Sequence, residues 1–340
     1  MSDARERALH ERYFYERDAS PRASWRLAVL MGRNSRTYKF GLGRTLLDFG
    51  REGRDAVPLT EFAAAYALNM AHHMGQDPQA PRGPEPGPRD FLTVAADERA
   101  ATVVAGRATE RLVDAAVRSI PGMVMKKFHN LADDTVVPHT FYALVGRGRH
   151  RTVTLSPDLV EIAGSEQAPG LAGELEARWR IVESSFAAEV GRSLIAGGVE
   201  VDLAHGVIRD KLRRRAVTGV VEATIGFQHG RCLICDEVIA PGDAVAVDHV
   251  FPFALMKRYG SIGGWSGPDL DALWNLAPAH QGCNSLKSDR PPTRAELIRL
   301  AARNEAIAGS PHPLRRTLEL SLGGAASWEA YLAAVERAAG

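Results

Sequence analysis

The sequence predicts an α+β protein: a largely α-helical N-terminal region with one small β-hairpin, then a zinc-stapled C-terminal unit and a C-terminal helix. Three observations carry that prediction. Helix-period apolar patterns, broken by proline and glycine, fill most of residues 1–208. Residues 141–155 alternate as a hairpin does. All three cysteines fall between Cys232 and Cys283, and the first two are spaced Cys-x2-Cys.

The elements follow in order. Residues 2–17 are charged, with Leu9, Tyr13 and Phe14 interspersed, and suit a short surface helix. Residues 23–31 and 37–49 read as amphipathic helices, with Leu42, Leu46, Leu47 and Phe49 at helical spacing. A helix is expected over 61–74, with Thr60 as its N-cap and Gly75 as its stop. Residues 76–90 hold five prolines and two glycines, which makes them a linker or long surface loop. Helical composition resumes over 97–120 and ends at Pro121-Gly122. The hairpin places strands at 141–145 and 151–155 around the turn GRGRH. A helix is expected over 171–190, with Trp179 in the core rather than serving as a base-stacking platform. A further helix is expected from Val207 to Phe227, a strand over 244–250 (AVAVDHV), a helix starting near His280, and a terminal helix over 328–339. The domain boundaries drawn on this basis are 1–208, 209–310 and 311–340.

Composition excludes several classes. Lys plus Arg is 42 and Asp plus Glu is 41, so the chain cannot coat nucleic acid by net charge. Three cysteines do not make a secreted disulfide framework. The charged first 26 residues lack the apolar core of a signal peptide, and no apolar run approaches the length of a membrane span. A cytoplasmic protein with reduced thiols and no membrane partner is expected. His72 and His73 lie on an Ala-rich helix with no companion acids at ligand spacing, and His129, His139, His150 and His205 are scattered; all six are given structural roles.

The chemistry gathers in the C-terminal third. Cys232-x2-Cys235 is a knuckle spacing, and His280-x2-Cys283 repeats it with an imidazole in place of one thiolate. Cys232, Cys235, His280 and Cys283 make a four-ligand zinc site with no open position, hence structural; His229 is a rival fourth ligand. Between the knuckles Asp248-His249 ends the expected strand, and Asn275 and Asn284 follow in WNLAP and HQGCNSLK. Histidine is the side chain that titrates near neutrality and suits a general base. Asp248 and Asn284 offer hard oxygen ligands for Mg²⁺ or Mn²⁺. Lys287, one turn after Asn284, is a candidate phosphate contact. So is the RDKLRRR run (209–215), formally +4, whose Arg213, Arg214 and Arg215 could follow a nucleic-acid backbone. Residues 216–300 carry seven basic and nine acidic side chains, so any grip on DNA must be local.

CLIC, VDHVFP, WNLAP and HQGCNSLKSD, in this order, resemble HNH endonucleases, the ββα-metal nucleases in their zinc-knuckle form. The resemblance covers about 60 to 90 residues, from roughly Gly230 to Pro292. It implies a ββα-metal unit and DNA cleavage, with His249 on the attacking water, Asp248 and Asn284 on one divalent metal, and Asn275 orienting His249 or fixing the loop. Two departures stand out: asparagine at the last position, where many members have histidine, and His280, where the second knuckle usually starts with cysteine. Restriction or antiphage defence is the implied setting, double-stranded DNA the implied partner, and a homodimer the arrangement that would let a one-site nuclease cut both strands. The alternatives are an RNA-cleaving nuclease of the same type and a zinc-stapled binding or scaffolding module with a vestigial site.

Overall fold

The computed structural model describes residues 11–12, 14–32, 34–75, 77–81, 83, 86–131, 135–186, 199–202, 205–210, 216–258, 265 and 267–339. These fall into two compact units, residues 14–186 and residues 11–12 with 199–339. No helix among the described residues is long and apolar enough to cross a membrane.

The first unit is mostly helical. Ser20 caps α1 (Pro21–Arg26) by accepting from the Ala23 N–H, and the chain runs on as a π-helical turn, Leu27–Met31. Then come α2 (Tyr38–Arg51), β1 (Ala56–Pro58), α3 (Leu59–His73), α4 (Phe91–Ala105) and α5 (Glu110–Ser119). The single helix expected over 97–120 is thus two. Gly106 takes the left-handed φ of 63° that ends α4, and the Thr109 side chain caps α5. The expected Thr60 cap is not used, because α3 begins earlier, at Leu59 behind Pro58. The hairpin is present as β2 (Tyr142–Val145) and β3 (Thr152–Leu155), with Tyr142 opposite Leu155. β1 adds a third antiparallel strand on the far side of β3. Next, α6 (Pro157–Gly164) is capped by Ser156, and α7 (Ala168–Phe186) covers the described part of the expected 171–190 helix. Trp179 is buried and stacks on Phe40 at 6.2 Å between ring centroids, a core role.

In the second unit β4 (Val199–Asp202), β5 (Val207–Asp210) and β6 (Ala216–Gly219) form an antiparallel sheet in that order. This overturns the helix expected over 207–227. Charge composition suggested a helix, but left-handed Gly206, φ 62°, turns the chain, and the β-branched Val207, Ile208, Val217 and Thr218 favour paired strands. Helix is confined to α8 (Val220–Thr224), followed by a 3₁₀ turn, Ile225–Gln228. Because β4 pairs with β5, the boundary drawn at 208/209 would cut a sheet; the units divide earlier.

The strand expected over 244–250 is β7 (Val245–His249), followed by α9 (Ala254–Arg258). A 3₁₀ turn, Leu273–Asn275, then leads into β8 (Leu276–His280) and α10 (Gln281–Lys287). β7 and β8 pair antiparallel, with Val245 opposite His280 and His249 opposite Leu276. Proline is tolerated at 278 because this sheet has only two strands. Its carbonyl still serves, accepting from Leu233 N–H at 3.1 Å and Gln228 Nε2 at 3.1 Å. α11 (Arg294–Gly309), opened by a Thr293/Glu296 capping box, packs with α12 (Arg315–Leu322) and α13 (Trp328–Ala339). The expected terminal helix is α13, and it belongs to this unit rather than to a separate 311–340 tail.

Candidate functional site

A turn builds the first knuckle. The Asp236 N–H donates to Cys232 O at 3.0 Å, and Cys232 N–H to Glu237 O at 2.9 Å. Asp236 takes a left-handed φ of 64° to close the turn. From α11, Arg299 donates to Leu233 O and Ile234 O, both at 2.6 Å, so the peptide between the two cysteines is clamped. The second knuckle sits where β8 becomes α10. Cys232, Cys235, His280 and Cys283 converge there, with one ligand atom from each lying within 4.8 Å of the others. Cys235 Sγ is 3.4 Å and Cys283 Sγ 3.9 Å from His280 Nδ1. A tetrahedral ion with bonds of about 2.0–2.3 Å needs ligand separations of about 3.3–3.8 Å.

The electrostatics also call for a cation. Desolvation, with the neighbouring sulfurs, pushes the Cys283 thiol up to about 11. Burial acts in the same direction on Cys235, but hydrogen bonds from the Glu237 backbone and His280 outweigh it and lower its pKa. Three thiolates at this spacing repel one another unless a metal ion such as zinc sits among them. His280 presents Nδ1 to the thiols, and its Nε2 faces Asp243 Oδ2 at 3.4 Å, the carboxylate backing that orients a metal-binding imidazole. His229, the rival ligand, lies outside the cluster: it is buried at the end of a 3₁₀ turn with a left-handed φ of 58°. Among the described residues this is the one group of three or more His, Cys, Asp or Glu side chains close enough to hold an ion.

The second constellation lies at the far end of β7. Strand alternation sends Asp248 and His249 to opposite faces. Asp248 is buried at 2% exposure. Its Oδ1 accepts from Lys287 Nζ at 3.0 Å, and its Oδ2 is buried without a hydrogen-bond partner. Burial raises the Asp248 pKa, against the opposing pull of Lys287. Lys287 therefore does not present its ammonium to solvent as a phosphate contact would require. Its side chain is 1% exposed, and Nζ bridges Asp248 and the His249 carbonyl, the latter at 2.7 Å.

His249 is half-buried, and its Nε2 meets Asp271 Oδ1 at 2.8 Å. Asn275 has no hydrogen bond to the His249 ring among the described residues. It is fully buried, accepts from Phe251 N–H at 2.8 Å, and donates to Phe251 O and Leu270 O, each at 2.9 Å. Of the two roles open to it, it fills the one that fixes the loop. Asn284 is half-buried on α10, which packs against β7 and β8. Arg213, Arg214 and Arg215 lie outside the described residues.

Sequence reasoning missed Asp271, Asp243, Arg299 and the buried Arg303, whose guanidinium donates to Leu276 O at 2.8 Å and Trp274 O at 3.0 Å. Their only signal was charge in apolar surroundings. Asp271 lies 22 positions from His249, across a loop whose path the sequence leaves open. Comparison of the chain with protein-family models, curated proteins and solved structures finds no match.

Proposed function

We propose that this chain is a metal-dependent endonuclease that hydrolyses phosphodiester bonds of DNA, with its active site where β7, β8 and α10 meet. The observation that carries the reading is a half-buried His249 next in the chain to Asp248, a buried carboxylate with one oxygen, Oδ2, left without a hydrogen-bond partner among the described residues. An orphaned carboxylate oxygen is costly to bury, and a cation would relieve it. Asp248 and Asn284 are the oxygen donors that would hold Mg²⁺ or Mn²⁺, a hard-ligand set suited to either. When bound, the ion supplies Lewis-acid stabilisation of charge on the phosphoryl and leaving oxygens.

The chain's own residues do the rest. His249 takes a proton from water, whose oxygen forms the new bond to phosphorus. The bond to the 3′-oxygen breaks, and that oxygen takes a proton from solvent. Asn275 fixes the loop between Phe251 and Leu270. The Cys3His cluster, closed to substrate, takes zinc as a structural staple. Arg213, Arg214 and Arg215 supply the local backbone grip that the near-neutral chain otherwise lacks.

One observation favours a second reading, a zinc-stapled binding module with a vestigial site. Lys287 already neutralises Asp248, where the catalytic cation would bind. Cleavage decides between the two. Full-length protein incubated with supercoiled plasmid, single-stranded DNA and RNA, each with Mg²⁺ or Mn²⁺, is expected to nick or linearise the plasmid. His249→Ala is expected to lower that rate by about 100-fold or more. Identical behaviour of wild type and His249→Ala on every substrate would leave the binding-module reading standing, and RNA cut in preference to DNA would reassign the substrate.

A further inference from the structure

We infer that Asp271 is a positioning residue for His249: it fixes the imidazole tautomer so that Nδ1, not Nε2, faces the attacking water. The inference rests on the nuclease reading for its consequence, though not for its geometry. A carboxylate can only accept a hydrogen bond, and a neutral imidazole carries a single N–H. With Asp271 Oδ1 at 2.8 Å, that proton belongs on Nε2, and the lone pair is left on Nδ1. Proton transfer then breaks a water O–H bond and forms Nδ1–H. The positive charge that develops on the ring is met by the Asp271 carboxylate.

The loop carrying Asp271 is held far more firmly than a surface ion pair requires. The Asp271 N–H donates to Asp269 Oδ1 at 2.9 Å, and Trp274 Nε1 donates to Asp269 O at 3.0 Å. One residue before Asp271, the Leu270 carbonyl accepts from Asn275 Nδ2 at 2.9 Å, and one residue after it, the Ala272 carbonyl accepts from Asn275 N–H at 2.9 Å. Leu270, Leu273, Trp274 and Asn275 are buried, whereas the Asp271 side chain is 37% exposed. A partly exposed His–Asp pair adds little to stability. A rigid frame around such a pair makes sense as a way to aim the ring. The Phe253 ring, 5.6 Å from the His249 ring, flanks it.

The test uses full-length protein labelled with ¹⁵N-histidine, with the His249 resonances assigned by their loss in His249→Gln. Wild type is expected to give the widely split ring shifts of a single Nε2–H tautomer. Asp271→Ala should collapse them toward the tautomer average, and Asp271→Asn, whose amide can donate to Nε2, should move them toward the opposite tautomer. In the plasmid assay both variants should lose kcat by roughly 10- to 100-fold with KM unchanged, and Asp271→Glu should recover part of the loss. His249 shifts identical in wild type and both variants would overturn the inference, as would unchanged kcat. A wild type that cuts nothing yet shows the Asp271-dependent tautomer would sink the nuclease reading and leave the positioning role intact.

Discussion

At His73 two carboxylates converge on one imidazole. Nε2 lies 3.2 Å from Glu176 and Nδ1 3.2 Å from Glu183, and the ring stacks on Trp179 at 3.5 Å between centroids and 5° between planes. The sequence gives no sign of this, because both acids come from α7, a hundred residues further on. Burial alone would lower the His73 pKa, but the bonds to Glu176 and Glu183 outweigh it and push it up to about 9. The folded state thus holds the proton more tightly than the unfolded chain does. The resulting stabilisation, on the order of 3 kcal/mol at most, is full below about pH 6.5 and is lost as pH rises through about 9. Glu176 acts on the acid side. Burial opposes its ionisation, but His73 and Arg180 hold it down to about 2, so its contribution is full above about pH 4.5 and fades as pH falls toward 2. Urea midpoints followed by far-UV circular dichroism should therefore hold level between about pH 4.5 and 6.5 and fall toward pH 9. His73→Gln should flatten the alkaline slope, and an unchanged slope in that variant would refute the account.

Among the elements, α11 organises the site although it contributes no residue to it. Arg299 clamps the knuckle, and Arg303 reaches the carbonyls of Leu273, Trp274 and Leu276. Arg303 is fully buried, bonded among the described residues to backbone carbonyls and not to a carboxylate, and desolvation lowers its pKa to about 9. Removing it takes a charged donor from three buried carbonyls at the entrance to β8, of which Trp274 O keeps Asn304 Nδ2 at 3.0 Å and Leu273 O keeps the Leu276 N–H. Arg303→Ala should cost about 3 kcal/mol in the second unit, read from denaturant unfolding by tryptophan fluorescence, with Trp274 and Trp328 as buried reporters. A loss below about 1 kcal/mol would show that the clamp is dispensable. The same element explains a gap in the sequence reading. Helix period is visible in α11, but that two of its arginines face backbone carbonyls is not, because an arginine on a helix reads as surface charge until something packs over it.

At the scale of the whole molecule, one unit carries a Cys3His cluster that could bind a metal such as zinc, and the other shows no such cluster among its described residues. Zinc removal should unfold the second unit around residues 230–290, because the three thiols are brought together only by the fold that the ion completes. The first unit, with its own core of Trp25, Phe40, Phe62, Tyr66 and Trp179, should stay helical. Chelation followed by limited proteolysis is expected to leave a resistant fragment covering residues 14–186 and to digest the remainder. Equal protease resistance with and without chelator would exclude a structural metal at the Cys3His cluster.

By itself the sequence determined most of the helices of the first unit (not the break at Gly106 or the helix Pro157–Gly164), the hairpin over 142–155, the strand ending at Asp248-His249 and the four members of the metal cluster. These are local features. A helix or strand writes its period into neighbouring residues, and a knuckle writes its bite into a spacing of two. Only the tertiary structure decided that Lys287 turns inward to Asp248, that Asn275 braces a loop rather than a ring, that Asp271 meets His249, and that residues 207–210 and 216–219 are strands. Each of those outcomes depends on partners up to 39 positions apart, brought together by loops whose course no local pattern encodes. Which buried charge meets which is set by the energy of leaving one unpaired, and that energy exists only once the chain has closed around it.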